Sequence, residues 1–280
     1  MGIFCILLSA LGFALMQLFI RLAGDIPSMQ KTFFRNLVAS FIALIPLIRN
    51  KIDISMMKGN WKLLILRSIF GTVGMIFNFV AVDLITIGDA SMLQKLSPFF
   101  VIILSLIFLG EKVKPYQWGA VIIAFIGTLF VIKPVGAVIS FGAIAGILGA
   151  AFAGAAYTCM RALTLRGVRG AFIIFFFSAF SCIAVVPSMI INFKPMTLLQ
   201  LFYLLMVGVA AALGQFGITF AYSFAPASNI SVFEYSQIIF ASILGYFVLS
   251  EIPDKYSIIG YIILISVGIF MILKGSKKRG

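Results

Sequence analysis

Lys95 and Glu234 are charged side chains set inside long apolar runs, and each has polar company: Gln94, Ser97 and Pro98 around the lysine, and Ser231, Tyr235 and Gln237 around the glutamate. Charge in hydrocarbon is costly, and where it occurs it marks a pathway or a binding site. A cation and an anion so placed suit holding a molecule better than making bonds. They can bracket a zwitterion, or they can neutralise each other as a structural pair. Counting 1.5 Å per residue from each helix centre puts Lys95 roughly 6 Å to one side of the midplane and Glu234 roughly 6 Å to the other. Gln17, Asn78, Tyr157, Gln215, Tyr222 and Tyr235 are further polar groups inside apolar runs. For each of them, contact with a bound molecule and hydrogen bonding between helices are both open.

Other chemistries find little to work with. Histidine is absent, which removes imidazole catalysis and imidazole metal sites. The acidic residues are scattered, so neither a nucleophile with its base nor an acidic cluster for metal–phosphate chemistry is visible. No Walker-type glycine loop occurs. The expectations are therefore no catalytic residue, no cofactor and no metal. If protons are carried through the interior, Glu234 is the available carboxylate. Cys5, Cys159 and Cys182 all fall within apolar segments, where packing is expected and a disulfide is not.

These residues need a membrane to make sense. The 280-residue chain is 62% hydrophobic and only 10% charged, with a mean hydropathy of +1.18. Soluble domains are nearer half apolar and a quarter charged. The net charge of +13 lacks the basic stripe with interleaved aromatics that nucleic-acid binding would need. The lipid bilayer is the expected partner, with no nucleic acid.

Ten apolar stretches follow one another: 2–20, 31–48, 63–82, 89–109, 117–133, 141–160, 170–191, 200–223, 227–249 and 256–273. Each is near the ~20 residues that cross a ~30 Å hydrocarbon core as a helix. The runs are continuous rather than alternating, which argues against membrane strands. The first stretch lacks a basic start and a small-residue cleavage pattern, so it reads as a retained span. With both ends on the cytoplasmic side, the inner connections hold thirteen basic residues, from Arg49 and Lys51 through Arg161, Arg166 and Arg169 to Arg279. The outer ones hold six: Arg21, Lys31, Arg35, Lys133, Lys194 and Lys255. The positive-inside rule favours that orientation.

The chain also repeats. At an offset of 140, Arg21 falls on Arg161, Gly74 on Gly214, Ala81 on Ala221 and Glu111 on Glu251, while Gln94–Lys95 falls on Glu234–Tyr235 and Gln17 on Tyr157. Five helices per copy is odd, so the copies must cross the membrane in opposite senses. Such inverted repeats are a ground plan of secondary transporters, with the site near the midplane where the halves meet. The expected fold is an all-α integral membrane protein of ten transmembrane helices in two inverted five-helix repeats, 1–137 and 138–280. Small residues on the sixth and eighth stretches, such as Gly146, Gly149, Gly214 and Gly217, are expected to let helices approach closely. The cavity is expected between the halves, with the fifth and tenth helices as scaffold.

The run Leu96-Ser-Pro-Phe-Phe-Val-Ile-Ile-Leu-Ser-Leu-Ile-Phe-Leu-Gly-Glu-Lys112, followed by Gln117-Trp-Gly and Gly127, resembles the fourth and fifth helices of the drug/metabolite transporter superfamily, EamA type. Tyr246-Phe-Val-Leu-Ser-Glu251 with Gly260 and Gly268 is its second-half counterpart. The resemblance covers essentially the whole chain and implies a multi-pass transporter of the cell membrane. Its cargo would be small molecules, with export of amino acids or related compounds first. Carriage of a nucleotide sugar or a drug-like cation is the alternative, and a membrane-embedded enzyme or a non-transporting interaction protein comes after. Monomer and homodimer both remain open. One departure stands out: Pro98 of the fourth stretch falls on Ile238 in the ninth, so an equivalent kink there is not expected.

Overall fold

The computed structural model describes residues 1–49, 59–84, 93–132, 141–250, 252 and 255–276. Among them every regular element is helical: α1 (Gly2–Leu22), α2 (Ser28–Arg49), α3 (Trp61–Leu84), α4 (Ser97–Leu109), α5 (Pro115–Ile132), α6 (Phe141–Leu165), α7 (Gly170–Ile191) and α8 (Leu198–Phe224). The short α9 (Ala227–Ile230) then leads through a 3-10 segment (Ser231–Tyr235) into α10 (Ser236–Leu249), and α11 (Lys255–Ser276) ends the described chain. Among the described residues seven helical stretches are long and apolar enough to cross a membrane, and Ser97–Leu109 and Pro115–Phe130 are shorter apolar helices. Phenylalanines on the rim, such as Phe4, Phe41, Phe108 and Phe247, are among the most exposed residues. A bilayer is the solvent in which such a surface is stable. The boundary expected at 137/138, the acid Glu251 and the polar residues Asp89 and Ser91 lie outside the described residues.

Small residues decide which helices touch. α1 lies along α8, and α3 lies along α6. A Cβ placed on Gly12 would sit 2.6 Å from the Gly214 nitrogen, and one on Gly217 would sit 2.7 Å from the backbone of Cys5 and Ser9. Ser9 also donates its hydroxyl to the Gly214 carbonyl at 2.7 Å. The second crossing is built the same way: a Cβ on Gly74 would meet the Ala153 nitrogen, and one on Gly149 the Asn78 nitrogen, both at 3.1 Å. Backbone contact of this kind supplies the dispersion and hydrogen bonding that hold helices together where lipid removes the hydrophobic drive. The other principal partners are α2 with α7 and α5 with α11.

The two stretches that carry the polar residues are not the continuous helices expected. The fourth turns at Lys95–Leu96, and α4 starts afresh at Ser97 with Pro98 in its first turn. Proline is tolerated there because first-turn N–H groups have no helical acceptor. Pro98 therefore opens a helix rather than kinking one. The ninth stretch breaks too, without a proline, by tightening into the 3-10 segment before α10. Ser231 and Glu234 therefore do not share one continuous α-helix with Gln237. Both helices end alike. Gly110 has φ 64° and returns its N–H to the Ser105 carbonyl, and Ser250 has φ 56° and returns its N–H to the Gly245 carbonyl.

Candidate functional site

A break at membrane depth frees backbone groups that no water can satisfy, so neighbouring side chains must do so. Here the two broken helices serve each other. Tyr235, at the second break, donates its hydroxyl to the carbonyl of Lys95, at the first, over 2.9 Å. Lys95 in turn donates its ammonium to Gln237 Oε1 at 2.7 Å, one turn beyond the second break. Glu234 is held from another side, accepting the Tyr222 hydroxyl at 2.8 Å. The Tyr222 and Tyr157 rings stack with centroids 6.0 Å apart, and the Tyr222 oxygen also lies 3.3 Å from the Ser231 hydroxyl. Among the described residues the ion pairs within 4 Å are Arg161–Glu111 and Lys194–Asp25. Lys95 and Glu234 are therefore neighbours without being a closed pair. Both keep partial exposure, as does Tyr157, whereas Tyr222 and Tyr235 are fully buried.

Of the residues picked from sequence, Lys95, Tyr157, Tyr222, Glu234 and Tyr235 come together in this network. Gln94 flanks it, with its side-chain oxygen buried and without a partner. Gln215, on α8, accepts from Arg67 at 3.4 Å and makes no hydrogen bond to the network. Gln17 is exposed on α1 and makes no hydrogen bond to the network. Asn78 is half-buried at the α3–α6 crossing, likewise without a hydrogen bond to it.

Sequence reasoning missed Arg67 and treated Arg35 as a loop charge. The structure puts both inside helices. Arg67 is 3% exposed in α3, with its guanidinium carbon 4.2 Å from the Phe177 ring centroid. Arg35 lies two turns into α2, half-buried, with Nη1 bonded to Asn36 Oδ1 at 2.9 Å and Nε facing the Met16 sulfur at 3.4 Å. The signal was present: a charge within an apolar run is the feature that picked out Lys95 and Glu234.

The two ends of the bundle are fastened differently. At the end that carries the N-terminus, where Gly2 approaches Ala225, Glu111 accepts Arg161 Nε at 2.8 Å and the Ala227 N–H at 3.0 Å. Arg161 also donates to the Tyr222 carbonyl. At the other end Gln30 exchanges two hydrogen bonds with the backbone of Lys194, and the Lys194 ammonium meets Asp25. That hydrogen bond, and then the lysine's charge, hold the Asp25 carboxyl below its ordinary value. An open depression lined by Asp25, Pro27, Met29, Val80, Phe193 and Lys194 lies at this end.

Comparison with known proteins extends the geometry. The sequence profile of the EamA-like transporter family matches residues 1–133 and again residues 140–274. The pseudopaline exporter CntI of Pseudomonas aeruginosa is 30% identical over 94% of this chain and 93% of its own length. A riboflavin transporter of Rhizobium johnstonii is 25% identical over 70% of this chain and 64% of its own. A crystal structure superposes with a TM-score of 0.79 over 95% of each chain at 14% identity, which is a likeness of fold.

Proposed function

The chain belongs to the EamA-like transporter family, and from that premise we propose that this small-molecule membrane transporter works by alternating access and carries its cargo between the two broken helices. The proposed cargo-binding residues are Gln94, Lys95, Tyr157, Gln215, Tyr222, Glu234 and Tyr235. Gln17 and Asn78 are proposed to line the approach. The observation that carries this reading is the reciprocal bonding of Lys95 with Tyr235 and Gln237 across the two breaks. Polar groups held by irregular backbone near the midplane are what a transport site requires.

The same reading includes ten crossings in two inverted repeats, 1–137 and 138–280. Its support is a set of correspondences at the 140-residue offset. The profile of the family matches twice. Gly110 and Ser250 correspond and share a left-handed cap that reaches back to the corresponding Ser105 and Gly245. The α1–α8 and α3–α6 crossings exchange under the same offset. Lys95 and Tyr235 correspond as well, and two equivalent residues in contact belong on the axis that relates the halves. Both termini are proposed to be cytoplasmic in the cell membrane, from the distribution of basic residues. Export of an amino acid or related metabolite is the proposed direction, and a relative named as an exporter supports it.

The test is counterflow with purified protein in liposomes, using a panel of labelled amino acids and related metabolites. At least one is expected to exchange at a rate well above empty liposomes. If none does while the protein stays folded, the reading fails. An externally added, impermeant thiol reagent should reach a cysteine placed at Lys194 and not one at Arg166. The reverse would invert the topology.

A further inference from the structure

The spanning helices carry more positive charge than their carboxylates neutralise. Arg161 and Glu111 satisfy each other. Among the described interior side chains that leaves Arg35, Arg67 and Lys95 against Glu234. Among the described residues neither Arg35 nor Arg67 has a carboxylate within 4 Å; their partners are an amide oxygen each, a thioether sulfur and an aromatic face. Two buried donors beside them are unmet: Arg67 Nε and Asn36 Nδ2, on residues that are 3% and 0% exposed. Buried donors without acceptors are rare in native structures and call for a particular explanation. Arg67 is also held in place for a task. Phe177 covers its face at 4.2 Å, and a Cβ on Gly71 would come within 2.4 Å of Nη1 and 2.6 Å of the Phe177 ring, so a larger residue there would shift the stacked pair. A guanidinium stacked on its face keeps its edge, the fork that matches a planar oxyanion. The α7 segment that stacks Phe177 on Arg67 also meets α2, where the Cys182 thiol donates to the Phe33 carbonyl at 3.6 Å, and Arg35 is the more exposed of the two arginines, so an anion would meet it first.

Resting on the transporter reading above, we propose that Arg35, Asn36 and Arg67 form an oxyanion subsite that receives a carboxylate or phosphate of the cargo, so that the preferred cargo carries net negative charge. The anion supplies the acceptors that Arg67 Nε and Asn36 Nδ2 lack and offsets the interior excess of cations. The subsite is one-sided: at the 140-residue offset, Arg35 corresponds to Phe175 and Arg67 to Val207. The scaffold repeats, but the anion's place in it does not.

Thermal unfolding of the full-length protein in detergent tests this, with citrate, glutarate, phosphoserine and neutral glutaramide as probes and chloride matching the ionic strength. Citrate or glutarate, or phosphoserine if the site prefers phosphate, is expected to raise the melting temperature saturably, and glutaramide is not. Arg35→Gln and Arg67→Gln should each weaken the apparent affinity at least tenfold. Arg67→Lys, which keeps the charge and loses the fork, should fall between, and Lys62→Gln at the membrane surface should match wild type. If Arg67→Gln does not fold, Arg35→Gln and Arg67→Lys carry the comparison. No oxyanion effect on wild type, or an effect that survives in both glutamine variants, overturns the subsite. Counterflow separates the two readings. Metabolite exchange without any oxyanion stabilisation would sink the subsite and keep the transporter, whereas stabilisation without exchange of any metabolite would do the opposite.

Discussion

The two ends of the bundle are each closed by an ion pair, and the pairs are built to different strengths. Glu111 and Arg161 have side chains only 10% and 8% exposed, and each spends its remaining capacity on backbone: the Ala227 N–H for one, the Tyr222 carbonyl for the other. One contact set thereby ties the α4–α5 turn to α6, to the end of α8 and to the start of α9. Lys194 and Asp25 are 48% and 96% exposed and join two surface loops. Exposed pairs of that kind contribute little, because water and salt screen them and two side chains must be ordered. A transporter needs ends that open at different times. A buried pair with both carboxylate oxygens bonded fastens one end firmly, and a solvated pair fastens the other loosely.

Breaking the buried pair should have the largest effect. Glu111→Gln leaves Arg161 charged and unpaired in a nearly dry site, and is expected to cost about 3–5 kcal/mol of stability, read as a lower melting temperature in detergent. Midway between the ends, Gly12→Ala drives a methyl group onto the Gly214 backbone. That overpacking should cost about 1–3 kcal/mol. Gly119→Ala, where nothing lies within 4 Å, should instead gain about 0.5–1 kcal/mol from the helix preference alone.

The turns sharpen the comparison further. Gly110 and Ser250 hold the same left-handed conformation at opposite ends, but only the serine carries a Cβ into it. Ser250→Gly should stabilise, and Gly110→Ala destabilise, each by about 1 kcal/mol. The exposed pair should matter least: Lys194→Ala is expected to leave the melting temperature unchanged at pH 7. Because the Asp25 carboxyl is held below its ordinary 3.8, whatever the pair contributes is present at neutral pH and lost as pH falls through that lowered value. Any small difference in melting temperature between wild type and Lys194→Ala at neutral pH should therefore disappear in acid.

Much of the fold was legible because lipid imposes a simple rule. Continuous apolar runs must become helices, and among the described residues every regular element is helical, with seven stretches of spanning length. The polar pair at Lys95 and Glu234 was legible for the same reason, since charge within such a run is conspicuous. The helix breaks were not. Pro98 pointed to one, but in a first turn it is compatible with an intact helix, and the break at Tyr235 has no proline at all. It is accompanied by contacts with Lys95 and Tyr222 from elsewhere in the chain, which no local pattern encodes. Arg35 was misread because a basic residue near the start of a span serves equally well as a topological charge and as an interior one. Only the packing of α2 against α7 and α8 separates the two.

Solute counterflow in proteoliposomes, comparing wild type with Lys95→Gln and Glu234→Gln, bears most directly on the claim that cargo is held between the broken helices. Once a cargo is found, each variant is expected to lose at least tenfold in exchange while its melting temperature stays near that of wild type. Folded variants that exchange the cargo at the wild-type rate would show that Lys95 and Glu234 only brace the two helices, and the site would have to lie elsewhere.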